Sequence, residues 1–94
     1  MKIKRDKYQK TRSGISKIYR IFCAECVSLL GEYQKDGVGQ LRRLYQDRYE
    51  PVKPQHKART GYCVCGNWYG VPYIYRKEDR PAIKLFVGKI RKKL

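Results

Sequence analysis

Two pairs of cysteines carry the chemistry this chain could do. Cys23 and Cys26 flank Ala24 and Glu25; Cys63 and Cys65 flank Val64 and are followed by Gly66. Thiolates are soft ligands, and four of them make a closed tetrahedral site for one structural Zn2+. A Cys-x-x-Cys turn sets two sulfurs on one side of the ion, with turn amides free to donate to them. Gly66 suits the left-handed backbone of a tight turn; in the first pair Val27 stands at the matching place. The second pair is one residue shorter than usual, but extended neighbours two apart share a face, so both sulfurs can meet one metal. The shortening leaves room for His56 in place of one cysteine, although a lone histidine in a Pro-rich basic loop is more often solvated or phosphate-facing. A redox pair at Cys23 and Cys26 needs a βαβ setting with the cysteines at a helix start. Residues 27–31 do not read as that helix.

The elements that must hold these cysteines read mostly as strands. Residues 15–22 are rich in β-branched and aromatic side chains and lead into Cys23; residues 27–34 are a second strand. A strand, a turn carrying two cysteines and a strand is the shape of a zinc-ribbon hairpin. Asp36-Gly37 marks a turn. Residues 41–49 fit helix and strand periods almost equally and are assigned to a strand, because so short a helix is marginal. Pro51 and Pro54 exclude a central strand or helix from residues 50–56. Residues 60–64 enter the second cysteine turn. Residues 70–72 interrupt; strands follow at 73–77 and 82–88, with a turn at 78–81. The expected fold is a small, mostly-β, zinc-ribbon-like domain over residues 15–88. A basic N-terminal arm (1–14) and a basic C-terminal tail (89–94), both open to disorder, flank it.

Charge points to the partner. The 94 residues hold 23 Lys and Arg against 8 Asp and Glu, a formal net charge of +15. Such density repels itself unless a polyanion screens it, and nucleic acid is the commonest polyanion. No apolar run approaches the ~20 residues of a membrane span, so no membrane partner is expected. The N-terminus lacks the apolar core of a signal peptide. A reducing, cytoplasmic setting is therefore expected, where metal ligation outcompetes disulfides; hyperthermophile cytosols are the exception. Nine tyrosines, one tryptophan and two phenylalanines lie among these cations. They suit base stacking, although a tyrosine more often fills a small β core with its hydroxyl at the edge.

The expected function is that of a structural zinc protein binding RNA, within the ribosome or another ribonucleoprotein, against rRNA and neighbouring ribosomal proteins. The expected nucleic-acid contacts are Lys2, Lys4, Arg5, Lys7, Lys10, Arg12, Arg42, Arg43, Lys57, Arg59, Lys89, Arg91, Lys92 and Lys93, with Trp68 and Tyr69 stacking on unpaired bases. The alternatives are a DNA-directed ribbon acting as a transcription accessory factor, and a protein-interaction zinc module. RNA leads because both ends are basic and no recognition helix is visible. No catalytic site or small-molecule substrate is expected. There is one histidine, the carboxylates sit mostly in turns beside Lys or Arg as surface ion pairs, and four thiolates leave zinc no open position.

One resemblance adds to this reading. Cys23-x-x-Cys26 is followed by Tyr33-Gln34-Lys35-Asp36-Gly37, Gly39, Leu41-x-Arg43 and Asp47-Arg48. The second half has the cysteine pair with Gly66, then Tyr75-x-x-Glu78-x-Arg80-x-Ala82 and a closing basic strand. Most of residues 20–90 thus resembles a family of small zinc-ribbon proteins of about this length. The resemblance implies a zinc ribbon with Cys23, Cys26, Cys63 and Cys65 in the ligand positions, and it implies no activity. By size, charge and cysteine pairs the chain also resembles zinc-ribbon proteins of archaeal and eukaryotic ribosomes. The short second pair departs from the pattern.

Overall fold

Alternation of apolar and polar residues builds the first hairpin. In β1 (Ser16–Cys23), Ile21 and Cys23 are buried while Arg20 is exposed. β2 (Leu29–Asp36) returns antiparallel, with Tyr19 opposite Tyr33 and a bulge between Ile21 and Phe22. The first cysteine pair closes this hairpin. The computed structural model describes residues 1–8, 15–53 and 55–94. The remaining elements are β3 (Arg43–Tyr45), the 3-10 turn η1 (Gln46–Arg48), β4 (Tyr49–Pro51), the 3-10 turn η2 (Ala58–Thr60), β5 (Gly70–Tyr75), β6 (Arg80–Leu85) and β7 (Ile90–Lys93). They form a four-stranded sheet in the order β4-β2-β1-β7 and a three-stranded sheet in the order β3-β6-β5.

Both sheets feed one core. Ile21, Leu30 and Tyr33 from the first sheet meet Leu44 and Ile83 from the second, with Tyr49, Ala58, Tyr69 and two of the cysteines. The tyrosines satisfy their hydroxyls inside: Tyr33 accepts from the Tyr45 backbone N–H at 3.0 Å, Tyr49 and Tyr69 share a bond at 3.1 Å, and Tyr69 donates to the Ala58 carbonyl. A buried phenol without a partner would be costly, so these bonds permit large aromatic burial in a small domain.

Several expectations change. Residues 41–49 hold a three-residue strand and a 3-10 turn before β4 begins, because Arg48 must turn inward. Residues 70–72 do not interrupt but open β5, whose place at the sheet edge tolerates Pro72. Pro51 likewise sits in an edge strand. The segment expected as a C-terminal tail supplies β7, with Ile90 opposite Cys23 and Lys92 opposite Ile21. Half-buried Ile90 packs on the core while the cations face out.

The carboxylates were expected as surface ion pairs; four of the eight instead pair with two buried arginines, although Asp6 and Asp47 themselves stay partly exposed. Arg48, 1% exposed, bonds Asp36 at 3.0 Å and Asp6 at 2.5 Å, with Asp47 at 3.6 Å. Arg80 bonds Asp47 at 2.8 Å and Glu78 at 2.9 Å. Its guanidinium lies between the rings of Tyr8 and Tyr45, 3.9 and 3.7 Å from their centroids. Asp6 and Tyr8 therefore hold the start of the expected arm against the fold. Lys4 and Gln34 reinforce it: the Lys4 N–H donates to the Gln34 side chain at 2.5 Å, and that side chain donates back to the Lys4 carbonyl at 2.9 Å.

Candidate metal centre and basic surface

The two cysteine turns come from opposite parts of the chain and meet at the top of β1. In the first, Cys23 ends β1 and the Val27 N–H donates to the Cys23 carbonyl at 3.0 Å. Val27 adopts φ +64°, the left-handed conformation that Gly66 adopts at φ +96° in the second turn. In the second, Cys63 donates its N–H to the Asn67 carbonyl at 2.9 Å, Gly66 donates to Cys63 at 2.9 Å, and Tyr62 bridges to Trp68. That narrow hairpin accommodates the short cysteine spacing.

The four sulfurs converge. All lie within 4.8 Å of one another, with Cys23 to Cys65 at 3.7 Å and Cys26 to Cys63 at 3.5 Å. A tetrahedron with Zn–S bonds of ~2.3 Å has sulfur–sulfur edges of about 3.8 Å. The cluster is thus compatible with one metal ion held by Cys23, Cys26, Cys63 and Cys65. His56 is exposed and outside the cluster. When bound, a metal with this ligand set supplies cross-linking, with every position filled.

Surrounding groups stabilise thiolates. The N–H groups of Glu25 and Cys26 each lie 3.4 Å from the Cys23 sulfur. Buried Asn67 donates to the same sulfur at 3.3 Å and to the Lys89 carbonyl at 3.1 Å, tying the site to the segment that leads into β7. Ser28 lies 2.9 Å from the Cys26 sulfur, and its side chain and backbone hold the Cys26 thiol down to about 6. Gln55 donates to Ser28 at 3.2 Å and accepts from the Val64 N–H at 3.2 Å, so one side chain spans both turns. Cys65 goes the other way. The Asn67 backbone N–H favours its thiolate, but desolvation and the neighbouring sulfurs push it up to about 12. Four adjacent thiols cannot all ionise without a cation between them. Ser28, Gln55 and Asn67 have no charge or periodicity to mark them in the sequence; only a position just after each cysteine pair distinguishes Ser28 and Asn67.

The expected nucleic-acid contacts divide. Lys2, Lys4, Arg5 and Lys7 are exposed on the docked N-terminal segment, with the Lys4 ammonium on the Asp47 carbonyl; Lys10 and Arg12 lie outside the described residues. Lys57 and Arg59 are exposed at η2, where Arg59 also donates to the Gln46 carbonyl at 3.0 Å. Lys89 sits 4.0 Å from Glu25, and Arg91, Lys92 and Lys93 are exposed along β7. Arg42 is exposed, while half-buried Arg43 lies 4.2 Å from the Tyr75 ring centroid. Trp68 is 48% exposed, but Tyr69 is fully buried. Tyr69 therefore cannot stack on a base; it follows Trp68 in an extended segment, where neighbours face opposite ways. Comparison with protein families, curated proteins and solved structures found no significant match to any of them.

Proposed function

We propose that this chain is a zinc-stapled β-domain that binds RNA as a component of a ribonucleoprotein such as the ribosome. The observation that carries the proposal is where the acidic residues go. Asp6, Asp36, Asp47 and Glu78 gather on buried Arg48 and Arg80. Two buried guanidiniums thus engage half of the eight carboxylates, and the chain keeps 23 Lys and Arg against 8 Asp and Glu, a net charge of +15. Such an excess attracts phosphates by charge alone. Among the described residues, the 3-10 turns η1 and η2 span three residues each, too short for a major-groove recognition helix, which supports RNA over duplex DNA. Zinc fits the ligand softness and the sulfur spacing, and its role is structural because four cysteines leave no position for substrate.

The test is purification of the metal-loaded chain from lysate with and without RNase, followed by a salt titration of RNA binding. Nucleic acid should co-purify and be lost on RNase treatment. The affinity should fall with salt by about 0.7 in log K per phosphate neutralised, per log unit of salt. A chain that purifies free of RNA and shows no salt-dependent affinity for it sinks the proposal.

A further inference from the structure

A cleft of about 700 Å³ opens between the loop after β2 and the β6–β7 corner. That is the size range of ligand pockets rather than of surface roughness. Arg42, Arg43, Lys84 and Lys92 line it, and no Asp or Glu is among its lining residues. Aromatic rings rather than carboxylates position two of these cations: Arg43 rests on Tyr75, and the Lys92 ammonium lies 4.6 Å from the Tyr19 ring centroid. Their charge is thus held in place without being neutralised.

The cleft continues into an aromatic shelf. Phe86 lines the cleft and meets Trp68 edge-on, with centroids 4.8 Å apart. Trp68 lies parallel to Tyr62, 6.0 Å away at 10°. Trp68 is 48% and Tyr62 40% exposed, an unusual outlay of apolar area beside a cationic groove. Cations that track a backbone, followed by open rings, are the parts from which single-strand binding is built.

We propose that cleft and shelf form one track for an unpaired nucleic-acid strand, with phosphates against Lys84, Lys92, Arg42 and Arg43 and a base on the Trp68–Tyr62 shelf. The inference rests on the RNA reading above and adds the path of the strand and its unpaired state. A duplex keeps its bases stacked inside and cannot offer one to the shelf.

Trp68 is the only tryptophan, so its fluorescence reports the shelf directly. The experiment titrates the metal-loaded full chain with a short oligouridylate and with an RNA duplex of equal length, reading anisotropy and tryptophan emission together. The single strand should bind more tightly and quench Trp68 with the same midpoint as the anisotropy change. Lys84→Ala with Lys92→Ala should lower the salt slope by about 1.4, at 0.7 per lost contact. Lys53→Ala with Lys77→Ala, exposed and outside the cleft, should lower it less. Trp68→Ala should weaken single-strand binding about fivefold or more, and Trp68→Phe less. Bound metal and far-UV circular dichroism establish that each variant folds; the two lysine pairs, on the surface, keep the test valid if Trp68→Ala does not. Absence of binding to any RNA overturns the RNA reading and the track with it. Binding without quenching, equal binding of duplex and single strand, or equal effects of the two lysine pairs overturns the track alone.

Discussion

At the level of single residues, the metal cluster turns on which side chains reach its centre. Cys63 and Cys65 both place their sulfurs in it, whereas His56 stays outside on the loop before η2. Cys63→Ser and Cys65→Ser should therefore each abolish stoichiometric metal binding, and His56→Ala should leave one metal per chain by native mass spectrometry. A mild cysteine variant beside a metal-free His56→Ala would reverse the assignment. Val27 is a second test. It is a β-branched residue at φ +64° and is 66% exposed, so it contributes little packing while its backbone carries strain. Relieving a left-handed L-residue gains about 1–2 kcal/mol, and the extra unfolded-state freedom of glycine takes back about 0.4–1 kcal/mol. Val27→Gly should thus raise the stability of the loaded protein by about 0.5–1 kcal/mol in denaturant unfolding. A loss of stability would mean that the Val27 side chain packs in a way its exposure does not suggest.

Among the elements, β7 has the least expected role. Its partner β1 ends at Cys23, and the Lys89 carbonyl just before β7 accepts from both the Ala24 N–H and Asn67. Truncation after Gly88 removes these acceptors, the β1–β7 ladder and the packing of Ile90. At about 1 kcal/mol per net hydrogen bond, it should cost about 2–4 kcal/mol and weaken metal retention, seen as a lower thermal midpoint and faster loss to a chelator. Unchanged values would reduce β7 to an ornament. The sequence concealed this strand because Lys89-Ile-Arg-Lys-Lys-Leu94 has almost nothing to bury and pairs mainly through its backbone. The β1–β2 hairpin was legible because one face alternates into the core and a cysteine turn joins the strands. The convergence of the four cysteines was legible from residue type and spacing. Arg48 and Arg80 were not, since charged side chains ordinarily mark a surface and the partners Asp6 and Asp36 of Arg48 and Asp47 of Arg80 are far away in sequence. Tyr69 was misread beside Trp68 because composition says nothing about which of two adjacent rings faces inward.

The whole molecule joins a small core to a cluster of four cysteines that could hold a metal. Stability of ordinary domains is about 5–15 kcal/mol, and structural zinc sites contribute about 10–16 kcal/mol in small peptides. Removing the metal with a chelator should therefore unfold the chain cooperatively, with loss of strand circular dichroism that returns on adding zinc. A chain that keeps its tertiary fold without metal would show that the two-sheet core suffices. That core can be probed separately through its phenols. Burial raises Tyr33 and Tyr69 above the usual tyrosine range and pushes Tyr49 up to about 12, the last offset in part by its bond to Tyr69. A group whose folded value is raised contributes stability that is complete below its unfolded value, near pH 10, and is lost as pH climbs through the folded value. The unfolded chain binds fewer protons in that window, so alkali draws the equilibrium toward it. Lysines lose charge in the same range and relieve repulsion, an effect of opposite sign, so the comparison must be with a variant that keeps every lysine. Tyr49→Phe should flatten the alkaline decline between about pH 10 and 12 by about 2 kcal/mol relative to the parent, measured by urea unfolding with phenolate absorbance followed in parallel. In the parent, Tyr33, Tyr49 and Tyr69 should ionise only as the fold opens. A single titration of all nine tyrosines near pH 10 with the strands intact would show that the phenols are not sealed between the sheets.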